Sequence, residues 1–294
     1  MKPAPFEYQA PGSLEAALDL LAHHGEEAKL LAGGQSLIPV MNFRLAQPSL
    51  LIDLNKLAEL DFIRPGEDGG LRIGALTRQR RLEREPLVAE RAPLLREAVP
   101  FIAHPQIRNR GTVGGSLAHA DPAAELPAVA VALGARFRLQ SARGERWVNA
   151  KDFFAGLFYT LLEPDEMLVE VDLPPLPPRS GWAFLEIARR HGDYAQAGVA
   201  AVVSLDGAGR CREARLVYLS AGDTPVEARE AAGMLAGGDL SPEAIGAAAQ
   251  KASRDEMDPA GDIHSTAEFK RHLVRVLTKR ALLRAVERAR EVSR

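Results

Sequence analysis

The run Pro174-Pro175-Leu176-Pro177-Pro178-Arg179-Ser180-Gly181 constrains this chain more than any other segment. Proline has no amide N–H to give to a ladder and fixes φ near −65°, so clustered prolines cannot continue a sheet or a helix. The run reads as an extended linker that divides the 294 residues into two parts.

Before the linker, helical and strand patterns alternate. Ser13 has the character of an N-cap, followed by Leu14, Ala17, Leu18 and Leu21 at helical spacing, and Gly25 stops the helix. Short buried strands are expected at 28–32 and 50–54, the second after the turn signal Gln47-Pro48-Ser49. A strand at 71–75, helices at 77–85 and 93–102, a glycine-rich loop at 110–117, a helix at 122–133 and strands at 135–140 and 167–173 follow. Beyond the linker the pattern changes to strands at 183–188, 197–205 and 214–219, then helices at 226–235, 242–251 and 266–292. Strands followed by helices indicate an α+β module.

Composition removes several function classes. Lys plus Arg is 37 and Asp plus Glu is 39, a net charge of −2, which gives no basic stripe for nucleic acid. The arginine run 78–84 is broken by Leu82 and Glu83 and reads as a solvated helix face. The single cysteine, Cys211, excludes an intrachain disulfide and a cysteine cluster for iron–sulfur or zinc. With no apolar leader and no apolar run of membrane-spanning length, the chain reads as soluble and cytoplasmic. No G-x-S-x-G, metal-ligand cluster or nucleophile–base pair stands out, so neither a catalytic residue nor a metal ligand is assigned.

Two glycine segments carry the chemistry. The first, Leu31-Ala32-Gly33-Gly34-Gln35-Ser36-Leu37, comes straight off a strand; the second is Thr112-Val113-Gly114-Gly115-Ser116. A Gly-Gly pair is more commonly a tight turn, but it also lets amide N–H groups converge on an anion. Two such pairs could grip the two phosphates of a dinucleotide if they met in space. Neither is a Rossmann or P-loop fingerprint. After the second segment, Asp121 is placed to cap a helix starting at Pro122, and Glu125 lies in its first turn, where it serves the helix dipole or accepts from a ribose hydroxyl.

The stretches A-G-G-Q-S-L-I-P from Ala32, I-R-N-R-G-T-V-G-G-S-L-A-H-A-D-P-A-A-E-L-P from Ile107, R-R-H-G-D-Y-A from Arg189 and S-A-G-D-T-P from Ser220 resemble the FAD-binding medium subunits of the xanthine dehydrogenase and carbon monoxide dehydrogenase family of molybdenum hydroxylases. The resemblance runs over nearly the whole chain. It implies an α+β fold of the PCMH or vanillyl-alcohol-oxidase type: two α/β subdomains (about 1–55 and 56–176) and a C-terminal module (181–292) with a three-stranded antiparallel sheet and helices. It implies non-covalent FAD held by residues 31–37 and 112–116, with Ile102, His119, Asp121, Glu125, Val169 and Tyr194 lining it; a lone Tyr194 is equally well explained by packing. It further implies electron transfer from iron–sulfur clusters to an external acceptor, a large molybdopterin-binding partner, a small partner with two [2Fe-2S] clusters, and a dimer of such heterotrimers. Gln35 stands where many relatives have His, and Ser116 where many have Asn. The alternatives are a stand-alone flavin oxidase of the same fold and a non-catalytic α/β scaffold.

Overall fold

The computed structural model describes residues 1–291. A first, parallel sheet contains β1 (Glu7–Gln9), β2 (Ala28–Leu31) and β3 (Leu50–Asp53) in the order β1-β3-β2. Parallel neighbours need crossovers, and the helices Leu14–His24 and Leu37–Asn42 provide them. Ser13 caps the first helix, its Oγ accepting from Ala16 N at 3.2 Å. That helix turns Ala17, Leu18 and Leu21 onto Leu50, Ile52 and Val169. Each leucine so buried contributes about 1.5–3 kcal/mol.

The second sheet is built from β4 (Ile63–Pro65), β5 (Leu71–Gly74), β6 (Arg136–Ser141) and β7 (Gly144–Asn149). A small hairpin of β8 (Phe154–Gly156) and β9 (Tyr159–Thr160) precedes β10 (Met167–Leu173), which returns to the middle of that sheet. The order is β4-β5-β10-β6-β7, antiparallel throughout. β10 is buried along its whole length, as a central strand must be. Its Glu170 carboxylate is fully buried and is held by Arg138 (3.1 Å), Arg64 (3.6 Å) and Arg72.

The third sheet, β11 (Ser180–Ala188), β12 (Ala195–Leu205), β13 (Cys211–Leu219) and β14 (Val226–Glu227), is antiparallel in sequence order. One face, with Ala183, Val199 and Tyr218, packs on the long helix Ala267–Glu291, where Tyr218 Oη lies 2.7 Å from Thr278 Oγ1. The other face, with Phe184, Ala200, Val217 and Leu219, joins the core of the second sheet. Between the two sheets lies the helix Glu125–Ala132, buried at every position, which is why its sequence ELPAVAVA has no polar stripe.

The differences from the sequence reading are local. The C-terminal sheet has four strands, because Val226–Glu227 pairs with β13 before the helix, which is only Arg229–Gly233. The helix expected at 77–85 shortens to Gln79–Leu82, and that at 93–102 becomes Pro93–Ala98 with a 3-10 turn. The helix expected from Pro122 starts at Glu125: Asp121 Oδ1 accepts from Ala123 N at 2.9 Å in an Asx turn and does not cap the helix. On the long helix Leu277 is buried, whereas Phe269 and Leu283 are exposed; Val292 lies outside the described residues. No helix among the described residues is long and apolar enough to cross a membrane.

Candidate functional site

The two glycine segments meet. A Cβ on Gly33 would lie 2.5 Å from Arg110 O and 2.8 Å from Gly111 Cα, and one on Gly115 would lie 3.6 Å from Ala32 Cβ. Gly33 is therefore required by the close approach of two backbones, and Gly34 by its φ of +72°. Beyond them Ser36 precedes the short helix Leu37–Asn42 without making a side-chain cap.

A polar stitch holds this junction. Asn55 Nδ2 donates to Ala32 O at 3.0 Å, and Arg78 donates both to Asn55 Oδ1 (2.5 Å) and to Arg110 O. Asp53 fixes Asn55 through the Asn55 amide (2.9 Å) and receives the Tyr8 hydroxyl at 2.6 Å. Arg78 thus differs from the solvated face expected of its run. Burial and the neighbouring Arg110 charge push its pKa down.

The two segments differ in which amides they leave free. The second is the first turn of the helix Val113–His119, and it is not a loop. Val113 N donates to Thr77 O, Gly114 N to Ala75 O, Gly115 N to the capping Thr112 Oγ1, and Ser116 N to Thr112 O. The expected anion nest is therefore absent from Val113–Ser116, because the helix cap and the Ala75–Thr77 backbone have taken its donors. In the first segment the N–H groups of Gly33, Gly34, Gln35 and Ser36 make no hydrogen bond among the described residues. Gln35 Nε2 folds back on Gly33 O at 3.0 Å and leaves that face open. A run of partly buried amides without partners is costly in isolation and suits an anionic ligand.

The remaining expected residues fall in two groups. His119, Asp121, Glu125 and Tyr194 share one electrostatic neighbourhood: Asp121 acts on the other three, and Glu125 on Tyr194. Burial pushes the Glu125 carboxyl up to about 7, the His119 imidazole down and the Tyr194 phenol up. Tyr194 is a large side chain that is 72% exposed. Its loop rests on the first part of the chain, since Gly192 packs on the His104 ring. Ile102 and Val169 are buried in cores. Val169 sits where β10 bulges from β6, and its carbonyl accepts from Ala75 N.

Three features escaped the sequence reading. The β8–β9 hairpin brings Phe158 to 5.1 Å from the His119 ring and exposes Leu157 and Tyr159 beside it. Arg108, buried with Glu83 (Nε–Oε1 2.5 Å), donates to Ile102 O (2.7 Å) and Ala103 O (3.1 Å) and so sets the turn carrying Ile102 and His104. Glu186, on β11, has its carboxyl pushed up to about 8 by burial and by Glu125.

Gly115→Val is expected to unseat the helix cap, not to strain φ. Its Cβ would stand 2.7 Å from Thr112 Oγ1, and a branched side chain would also reach Ala32. The lost cap alone costs about 1 kcal/mol, seen as a lower Tm, and weaker FAD retention should accompany it.

Residues 4–176 match the family described as the FAD binding domain in molybdopterin dehydrogenase, and residues 182–285 match the CO dehydrogenase flavoprotein C-terminal domain. The chain is 46% identical over 290 residues to the 6-hydroxypseudooxynicotine dehydrogenase complex subunit alpha of Paenarthrobacter nicotinovorans, covering 99% of this chain and 97% of the relative. It is 41% identical to the carbon monoxide dehydrogenase medium chain of Hydrogenophaga pseudoflava over 96% of this chain and 97% of that one. A solved carbon monoxide dehydrogenase from the same organism superposes with a TM-score of 0.94 at 42% identity, covering 98% of this chain and 99% of that one. Quinoline 2-oxidoreductase from Pseudomonas putida 86 gives 0.93 at 38% identity, covering 98% and 99%. A free amide run clasped by a glycine contact, within a chain matched along nearly its whole length, identifies it as a member of the FAD-binding medium-subunit family of the molybdenum hydroxylases.

Proposed function

We propose that this chain holds FAD non-covalently, receives electrons from iron–sulfur clusters on a small partner chain and passes them to an external acceptor. In this reading the large partner carries the molybdopterin, and two heterotrimers pair in the cytoplasm. The division into a flavin domain at 1–176 and a C-terminal module at 181–292 belongs to the same proposal. The observation that supports it is the run of amides at Gly33–Ser36 that make no hydrogen bond among the described residues, held open by the Gly33–Gly111 contact.

FAD, when bound, supplies the ability to accept electrons singly and deliver them in pairs. The chain's own residues bind and orient it. Gly33, Gly34, Gln35 and Ser36 would donate amide N–H groups to the pyrophosphate, flanked by Leu31, Ala32 and Leu37. The segment Thr112–Ser116 (Thr112, Val113, Gly114, Gly115, Ser116), the cap and first turn of the helix Val113–His119, would lie alongside as a smooth wall, since its first amides are already committed. Asp121, Glu125 and His119 would face the polar part of the cofactor, Ile102 and Val169 would back it, and Tyr194 would lie beside the ring. His119, its pKa lowered by burial, is neutral at pH 7 and adds no charge.

The test compares the purified complex with and without its flavin. After chemical reduction of the clusters, the FAD-loaded complex should reduce an added quinone or dye rapidly, and the stripped complex should not. Equal rates in both would overturn the electron-transfer reading.

A further inference from the structure

We propose that Glu186 completes the flavin site from the C-terminal sheet: it faces Glu125 across the seam and the two share one proton, so that the pair meets the cofactor as a hydrogen-bond donor and a single anion. The proposal rests on the flavin reading above and deepens it.

The geometry begins with strand alternation. Side chains two apart on a strand share a face, and Phe184, two residues before Glu186 on β11, belongs to the core of the second sheet. Glu186 therefore points toward the first part of the chain, not toward the long helix. Its cross-strand neighbours in that row are Gly198 and then Leu219. Gly198 leaves a notch between them: a Cβ there would stand 2.5 Å from Leu219 Cδ2 and 3.0 Å from Glu186 Cβ. The opposite wall is the segment leading to Glu125, pinned to this row because Ser220 N donates to Pro122 O at 2.8 Å. Glu125 itself is buried at the start of the helix that packs against β12 and β13.

Glu186 Oε2 is buried and has no hydrogen-bond partner among the described residues. A buried carboxylate oxygen without a donor favours the protonated form, and a second carboxyl nearby favours it further. Both groups show this: Glu186 is pushed up to about 8 by burial and then by Glu125, and Glu125 to about 7 by burial, with Asp121 adding to it.

The other charged groups around the pair do not neutralise it. Arg108, which pulls Glu125 down, is already engaged by Glu83. Glu97, beside Phe184, is taken by Arg284 (3.3 Å) and Arg288 (2.5 Å). Asp121 adds one carboxylate, while the His119 imidazole, its pKa pushed down by burial, and the Tyr194 phenol, its pKa pushed up, add no charge. Such a pair titrates as a unit. Below about pH 7 both carboxyls are largely protonated, between about 7 and 8 the pair holds one proton, and as pH rises past 8 it becomes two facing anions.

Two consequences share one sign. Because both carboxyls bind protons more tightly in the folded chain, the stability they confer is complete below the ordinary carboxyl range, near 4.5, and is lost as pH rises through 7 to 8. FAD, itself anionic, should bind less well over the same upper range. The experiment titrates FAD by fluorescence into the stripped full-length chain with its partners at pH 6.5, 7.5 and 9, for the native protein and Glu186→Gln. The native complex is expected to lose roughly tenfold in affinity from pH 6.5 to 9, and Glu186→Gln less than threefold. The thermal midpoint of the native complex should fall over the same interval more than that of the variant. A native affinity independent of pH, or an unchanged slope in the variant, overturns the pair. Failure of every form to bind FAD at any pH overturns the flavin reading itself.

Discussion

Gly33→Ala will separate the two glycine segments and weaken FAD binding more than any other single-methyl change in the chain. The added carbon would stand 2.5 Å from Arg110 O and 2.8 Å from Gly111 Cα, both backbone atoms that cannot swing aside like the end of a side chain. One segment must move, and the stitch through Asn55 and Arg78 resists that movement. Overpacking of this kind costs roughly 1–3 kcal/mol, which as lost affinity is on the order of 5- to 150-fold. Isothermal titration with FAD measures it. The contrast is Gly12→Ala, where nothing lies within 4 Å of the new carbon and neither affinity nor Tm should change.

The largest loss of stability is expected from Arg108→Met. Arg108 and Glu83 are both buried, and Arg108 also donates to Ile102 O and Ala103 O. Methionine fills the volume but leaves Glu83 as an uncompensated buried charge and two carbonyls without their donor. Breaking one side of a buried ion pair costs about 3–5 kcal/mol, while replacing both partners by apolar side chains costs far less. Denaturant unfolding of Arg108→Met and of the double variant Arg108→Met/Glu83→Leu measures both. The double variant should recover most of the loss. It should still bind FAD more weakly than the native chain, because the turn carrying Ile102 and His104 has lost its anchor.

Much of the fold was legible because its signals are local. Ser13, the spacing of Leu14 to Leu21 and the prolines after Leu173 each act within a few residues, and each marks an element edge in the structure. The short pieces were not legible: β14 has two residues, and β8 and β9 take their form from their partners. The second glycine segment was misread because Thr112-Val113-Gly114-Gly115 has loop-like composition. What makes it helical is distant, namely Ala75 O and Thr77 O accepting its first amides and the closeness of Gly114 to Ala75.

For the site, sequence could name the glycines but not their division of labour. Which amides remain free depends on what packs behind them, and that is set by β5 and the residues after it. Arg78 looked like one more surface arginine in its run. Its role comes from Asn55, 23 positions away, and Arg110, 32 away. Glu186 gave no sign, since an acidic residue alternating with Leu185 and Ile187 fits a half-exposed strand equally well. Only the packing of the sheet on the helix Glu125–Ala132 turns that side chain inward.

The measurement that tests the account most directly is amide hydrogen exchange along the chain, in the complex stripped of FAD and again after FAD is restored. Exchange at Gly33, Gly34, Gln35 and Ser36 is predicted to slow by at least about tenfold on FAD binding, as unpartnered amides acquire acceptors. Val113, Gly114 and Gly115, bonded in both states, should change little. Protection appearing at Val113–Gly115 while Gly33–Ser36 stays unchanged would contradict the assignment of the anion-binding amides to the first segment.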